Sequence, residues 1–245
     1  MAKQWYIGCS GFYYKDWKEV FYPKGLPQAQ WFEYYCQHFN TLELNVTFYR
    51  FPSLNVLQNW YRKAPDEFIF SVKVPRAITH ENHFQGTQSL AMDFYDILSL
   101  GLADKLGPVL YQLPPSLTYS PELLEAIISH TDPAFTNVVE FRHISWWRKE
   151  VLEQLTQHHI TFCGISYPGL INDIMINSAT PYYRFHGVPK LYYSSYDAEF
   201  LEKVVQLLHG DQKVKQAFLY FNNTANAAAL QNAKYVQELA ESQGW

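Results

Sequence analysis

Strand-like and helix-like segments alternate along the whole of this 245-residue chain, and that alternation limits the possible folds more than any other feature. Eight runs rich in apolar, β-branched and aromatic residues read as strands: Trp5–Cys9, Thr41–Val46, Phe68–Val72, Pro108–Gln112, Thr136–Phe141, Ile160–Ile165, Tyr182–His186 and Gln216–Phe221. Helix-like segments lie between most of them, at about 28–39, 53–63, 87–100, 121–130, 145–158, 197–209 and 224–241. Ser53, Ser120-Pro121-Glu122 and Asp197 with Glu199 supply N-cap or first-turn signals. The spacing predicts one domain over 1–245 of the α/β class, a (β/α)8 TIM-type barrel with one degenerate unit near 167–180, where no helix pattern is found. An open sheet covered on both faces is the alternative. No GxGxxG follows the first strand, which weakens the dinucleotide-binding form of that sheet.

Four of the strands share a second pattern. Leu42, Leu44 and Val46 oppose Glu43, Asn45 and Thr47; Phe68, Phe70 and Val72 oppose Ser71 and Lys73. Val139 and Phe141 oppose Glu140 and Arg142, and Tyr183 and Phe185 oppose Arg184 and His186. An antiparallel sheet with one wet face would show the same alternation, but the intervening helices argue against it. In a barrel the second face points inward, where a lone ion costs several kcal/mol or more. The charges must then pair with one another or lie near the strands' C-terminal ends, the catalytic face of such barrels. Glu43 and Glu140 are two carboxylates against three cations, Lys73, Arg142 and Arg184. The group leans positive and suits a phosphate or carboxylate, although it could also satisfy itself as an ion-pair network.

Composition narrows the partners. Net charge is −4, which argues against broad coating of a nucleic-acid backbone. The three cysteines, Cys9, Cys36 and Cys163, form no CxxC and no disulfide framework. The start, Met-Ala-Lys-Gln, shows no charged-then-apolar leader, and no run approaches the roughly 18 apolar residues of a membrane span. A cytoplasmic protein without membrane partners is expected. Aromatic residues make up 18% of the chain, and Phe12, Tyr14, Trp17, Tyr49, Trp146, Tyr192 and Tyr193 are expected around the barrel mouth. There, with Arg50, Arg142 and Arg184, they would suit a sugar, a nucleotide or single-stranded nucleic acid, or else serve as loop anchors.

A series of motifs runs nearly end to end. It includes Gly8-Cys9-Ser10-Gly11-Phe12 with Tyr14 and Trp17, Phe21-Tyr22-Pro23, Phe39-Asn40-Thr41-Leu42-Glu43-Leu44-Asn45 and Thr47-Phe48-Tyr49-Arg50. Phe70-Ser71-Val72-Lys73 leads to Thr79-His80, and Leu106-Gly107-Pro108 to Gln112-Leu113-Pro114-Pro115. Val139-Glu140-Phe141-Arg142-His143 with Ser145-Trp146, Arg184-Phe185-His186-Gly187 and Tyr220-Phe221-Asn222-Asn223 complete it. In these motifs the chain resembles the DUF72 (YecE-like) family. The resemblance implies a TIM barrel with a polar site at its mouth, and it brings no assigned activity or cofactor. Cys9 stands where Thr is frequent in that family and Phe12 where Trp is frequent, both mild changes of local packing.

The functional expectation is a polar, anion-favouring site for a small anionic or sugar-like ligand, in an enzyme of the hydrolase, lyase or isomerase type. Glu43 and Glu140 are the acid–base candidates, as in glycoside hydrolysis. Lys73, Arg142 and Arg184 are anion anchors, and Asn45, His143, His186 and Asn223 are further ligand-binding candidates. Lys73 is also the residue type of a Schiff-base lysine. His80, His143 and His186 with the two glutamates are metal-binding residue types. No HExxH, HxH or compact cluster supports that use, and no metal ligand is assigned. A nuclease-like nucleic-acid binder and a non-catalytic binding protein are the alternatives.

Overall fold

The computed structural model of the protein describes residues 3–172 and 174–242. Met1, Ala2, Asp173 of the degenerate unit and the last three residues of the expected 1–245 domain lie outside them. In chain order the elements are β1 (Gln4–Ser10), α1 (Trp31–Cys36), β2 (Thr41–Leu44), α2 (Val46–Tyr49), α3 (Leu54–Lys63), β3 (Ile69–Lys73), α4 (Gln88–Leu102) and β4 (Leu106–Gln112). They continue with α5 (Pro121–Ser129), β5 (Asn137–Glu140), α6 (Lys149–Gln157), β6 (Ile160–Phe162), β7 (Gly164–Ser166), β8 (Tyr182–Phe185), α7 (Ala198–Gly210), β9 (Gln216–Phe221) and α8 (Ala228–Ser242).

Contacts divide the chain into two compact units. Unit 1 holds the residues up to Glu43 and those from Gly164 onward, and unit 2 is Leu44–Cys163. In unit 1 the strands run in the order β2-β1-β9-β8-β7. First and last strands pair in parallel over six positions, from Gln4↔Gln216 to Cys9↔Phe221. In unit 2 the order is β3-β4-β5-β6, again parallel. Neighbours in sequence are neighbours in the sheet, with none of the reversal that marks a doubly wound sheet. The fold is of the α/β class, TIM-barrel type, and the open-sheet alternative falls away. Among the described residues, 167–181 hold no helix or strand, the degenerate unit that the sequence indicates.

Three boundaries differ from expectation for tertiary reasons. The run 160–166 is two strands, because β6 pairs with β5 while β7 pairs with β8, and the chain breaks its pairing at Cys163. The second strand stops at Leu44, so Val46 is no strand residue; it starts the single-turn α2 and is 53% exposed. The Thr47 hydroxyl donates to the carbonyls of Leu44 (3.1 Å) and Lys73 (2.6 Å), which turns a run of strand-forming residues into a helical turn. The helix expected from residue 145 begins at Lys149, after a short turn at Ile144–Trp146.

Local signals explain other ends. Ser120 Oγ accepts from the Leu123 N–H (3.2 Å) with Pro121 in the first turn, and Asp197 Oδ1 accepts from the Phe200 N–H (2.8 Å). Ser53 occupies the N-cap position of α3, but its side chain makes no capping bond. Asp197→Ala is expected to lower stability by about 1 kcal/mol, read from the urea midpoint, and an unchanged midpoint would refute the cap. In α8, Ala229, Ala233, Val236 and Ala240 recur at helical spacing and are buried, three of them small enough to seat the helix closely on β1 and β9. In unit 2, Gly101 of α4 lies where a Cβ would come within 2.4 Å of Leu57 Cβ, so glycine sets how closely α3 and α4 approach.

Candidate functional site

In unit 2 the parallel register lines up the strands' last residues. Lys73 ends β3, Gln112 ends β4 and Glu140 ends β5, with Gln112 paired to Glu140. Glu140 is fully buried, and Arg142 Nε donates to its Oε1 at 2.7 Å. Lys73 Nζ donates to Gln112 Oε1 (2.7 Å) and sits 3.8 Å from the centre of the Phe48 ring. The ring face thus shields a cation that is only 8% exposed. His80, on a single π turn at Ala77–Glu81, meets the same ring edge-on at 4.8 Å. Burial and the nearby charges of Lys73, Arg142, Arg76 and His83 lower the His80 pKa to about 4. Asn45 opens α2, its carbonyl accepting the Phe48 N–H. His143 caps the turn after β5, its Nδ1 accepting from the Ser145 N–H (3.2 Å) and contacting Ser145 Oγ (2.8 Å).

In unit 1, Arg184 of β8 grips Glu43 of β2 in a two-pronged pair, Nε to Oε2 at 2.8 Å and Nη2 to Oε1 at 2.6 Å. Tyr182 donates to Glu43 Oε2 at 2.6 Å. All three are buried. Burial alone would raise the Glu43 pKa, but the Arg184 charge and the bonds from Arg184 and Tyr182 outweigh it and hold the carboxyl below its ordinary value. His186 is fully buried, its Nδ1 2.9 Å from Asn222 Nδ2. Asn223 donates to Ser194 O (3.0 Å) and Asn232 Oδ1 (2.9 Å). Asn232 in turn accepts from the Tyr196 N–H and donates to its carbonyl, fastening the 194–196 loop to α8. Cys9 of β1 is buried, its N–H donating to the Tyr35 hydroxyl at 2.8 Å, and burial pushes its thiol pKa up, away from nucleophile chemistry.

The structure therefore gathers Lys73, Glu140 and Arg142 in one unit and Glu43 and Arg184 in the other. Sequence reasoning missed Gln112, Tyr182, Asn232 and the Phe48 shield. Gln112 was detectable as a polar residue ending a strand; the others depend on packing. Of the aromatics expected around the site, Trp17 and Trp146 are fully buried anchors. Their indole N–H groups donate to Thr224 O (2.9 Å) and Leu117 O (2.8 Å). Tyr49 is the most exposed of the set, at 73%. Among the described residues no group of three or more His, Cys, Asp or Glu is placed to hold a metal ion, and no helix is long and apolar enough to cross a membrane.

The profile of one family, described as "Protein of unknown function DUF72", matches residues 6–244. The chain belongs to the DUF72 family. This DUF72 chain is 29% identical to UPF0759 protein YecE of Escherichia coli O157:H7 over 153 residues, 61% of its length and 55% of that protein's. It thus spans about half the length of that relative. UPF0759 protein YunF of Bacillus subtilis (strain 168) is 24% identical over an alignment of 275 residues that covers 96% of this chain and 94% of YunF. The crystal structure of a DUF72 family protein from Thermotoga maritima superposes with a TM-score of 0.88 at 30% identity, covering 97% of this chain and 99% of that one. That match extends the family assignment to the fold.

Proposed function

We propose that this DUF72 chain binds a small anion, phosphorylated or sugar-containing, and acts on it as a hydrolase, lyase or isomerase. The observation that carries this reading is the charge at the strand ends of unit 2: two cations, Lys73 and Arg142, beside one carboxylate, Glu140, with the neighbouring His80 held neutral. Lys73 and Arg142 are the anchors, with Asn45 and His143 as orienting groups. Glu140 both aims the Arg142 guanidinium and is the proton-transfer candidate. In unit 1, taken by itself, Glu43 is the acid–base candidate and Arg184, His186 and Asn223 the ligand-orienting set. Cys9, Cys36 and Cys163 form no disulfide, which suits a reducing compartment, so we place the protein in the cytoplasm.

Inorganic phosphate is expected to raise the melting temperature above that in chloride of equal ionic strength. At a hundredfold excess over Kd the gain would be about 2.7 kcal/mol. Lys73→Met, which keeps the bulk over Phe48, should abolish most of the gain. No phosphate-specific shift in the natural protein, or an undiminished one in Lys73→Met, would refute the anion site.

A further inference from the structure

The Gln112 side chain can be oriented without ambiguity. Lys73 Nζ only donates, so the amide oxygen faces it; the Leu113 carbonyl only accepts, so the amide NH2 faces that carbonyl. The same NH2 lies 3.5 Å from His80 Nε2. His80 Nε2 therefore presents its lone pair on this side, and the ring proton sits on Nδ1, which donates to Thr79 Oγ1 at 2.8 Å. A proton on Nε2 would set two donors face to face. The charged groups around the ring oppose it too: Lys73 at the end of β3, Arg142 after β5, and Arg76 and His83 on either side of the π turn. The acidic groups nearby are already engaged, Glu140 with Arg142 and Glu81 with Arg76. The contact between the amide and the ring is long, 3.5 Å, and with the ring protonated an oxygen that accepts from both would satisfy them better. A doubly charged oxyanion on Lys73 and Arg142 would supply such an oxygen, and its charge would cancel the repulsion that keeps the ring neutral.

We propose that His80 is a third anion-contacting group of the Lys73–Arg142 site, and that it takes up one proton from solvent when a dianionic oxyanion such as a phosphate monoester binds; this rests on the anion-site reading above. The proton forms the Nε2–H bond, and the imidazolium then donates to the anion. Such a site prefers dianions to monoanions, because only the second negative charge offsets both the cations and the new imidazolium. The π turn, a break in helical regularity that recurs at functional sites, is what brings His80 to this position.

Sulfate keeps two negative charges across the working pH range, so any pH dependence of its binding reports the protein. Titration calorimetry of the whole chain with sulfate at constant ionic strength is expected to show affinity rising roughly tenfold from about pH 7.5 to about pH 5.5. Buffers of different ionisation heat should reveal uptake of close to one proton per sulfate at the lower pH. His80→Gln should still bind sulfate at about pH 7.5 within roughly twofold and lose the rise in acid. If His80→Gln keeps the full rise, or the natural protein takes up no proton on binding, the His80 assignment fails while the anion site stands. If sulfate does not bind the natural protein at either pH, the anion-site reading itself fails. The proton count needs no variant, so it decides the matter even if His80→Gln does not fold.

Discussion

Arg184→Ala is expected to destabilise the protein by about 3–5 kcal/mol at neutral pH, the range for removing one member of a buried ion pair. Glu43 is fully buried, and both of its oxygens accept from Arg184. Withdrawing the guanidinium leaves the buried carboxylate without its two-pronged partner. The dependence on pH has a definite sign. With Arg184 present, the Glu43 pKa is held below its unfolded value, so the pair stabilises the fold above that value and the contribution is lost as pH falls through the folded one. In Arg184→Ala, burial would raise the carboxyl pKa, and acid would relieve the penalty. The gap between the two proteins should therefore narrow as pH falls. Replacing both partners, Glu43→Leu with Arg184→Met, should recover most of the loss, since a packed apolar pair needs no compensation. Urea unfolding of the natural protein and both variants at two pH values tests this. A loss below about 1 kcal/mol in Arg184→Ala would show that the pair does not hold unit 1 together.

Gly8→Ala is expected to cost about 3 kcal/mol, the upper part of the range for overpacking. A Cβ at position 8 would lie 2.3 Å from the Thr41 carbonyl oxygen and 2.9 Å from the Tyr35 hydroxyl. That hydroxyl is wedged between β1 and β2, accepting from the Cys9 N–H at 2.8 Å and donating to Thr41 O at 3.0 Å. Neither neighbour is free to give way: the oxygen belongs to the backbone of a strand in register with β1, and the Tyr35 ring is fully buried. The added methyl must push β2 away and break the tyrosine bridge, which also moves Glu43 two residues further along β2. Thermal melts of Gly8→Ala, with Tyr35→Phe in the same background, separate the two effects. An unchanged melting temperature in Gly8→Ala would mean that the strands can separate without cost.

The glycine also shows what a sequence can and cannot convey. Its place in a Gly-Cys-Ser-Gly motif was visible, but the reason for it, a carbonyl and a hydroxyl closing from two other elements, was not. The same division runs through the site. Lys73, Glu140, Glu43 and Arg184 stand at or next to the C-terminal ends of their strands, as strand periodicity indicates. Periodicity could not indicate that Lys73 would turn to Gln112 and the Phe48 face, or that His143 would cap its own turn through Nδ1. Val46 reads as a strand residue by propensity, and the Thr47 hydroxyl bonds override it. Trp17 and Trp146 read equally well as ligand platforms or as anchors, because an indole in a loop looks the same either way until its N–H finds a carbonyl.

By itself, the sequence determined the α/β alternation, the parallel order of the strands and the residue types delivered to the strand ends. These follow from short-range rules, a period of two in strands and of 3.6 in helices, that act within a dozen residues. The tertiary structure alone decided which charge meets which. Glu43 and Arg184 are 141 positions apart, and Lys73 and Gln112 are 39 apart. Whether such groups pair depends on strand register and on differences in separation of about an ångström, because hydrogen bonds and buried charges lose their stabilisation steeply with distance and angle.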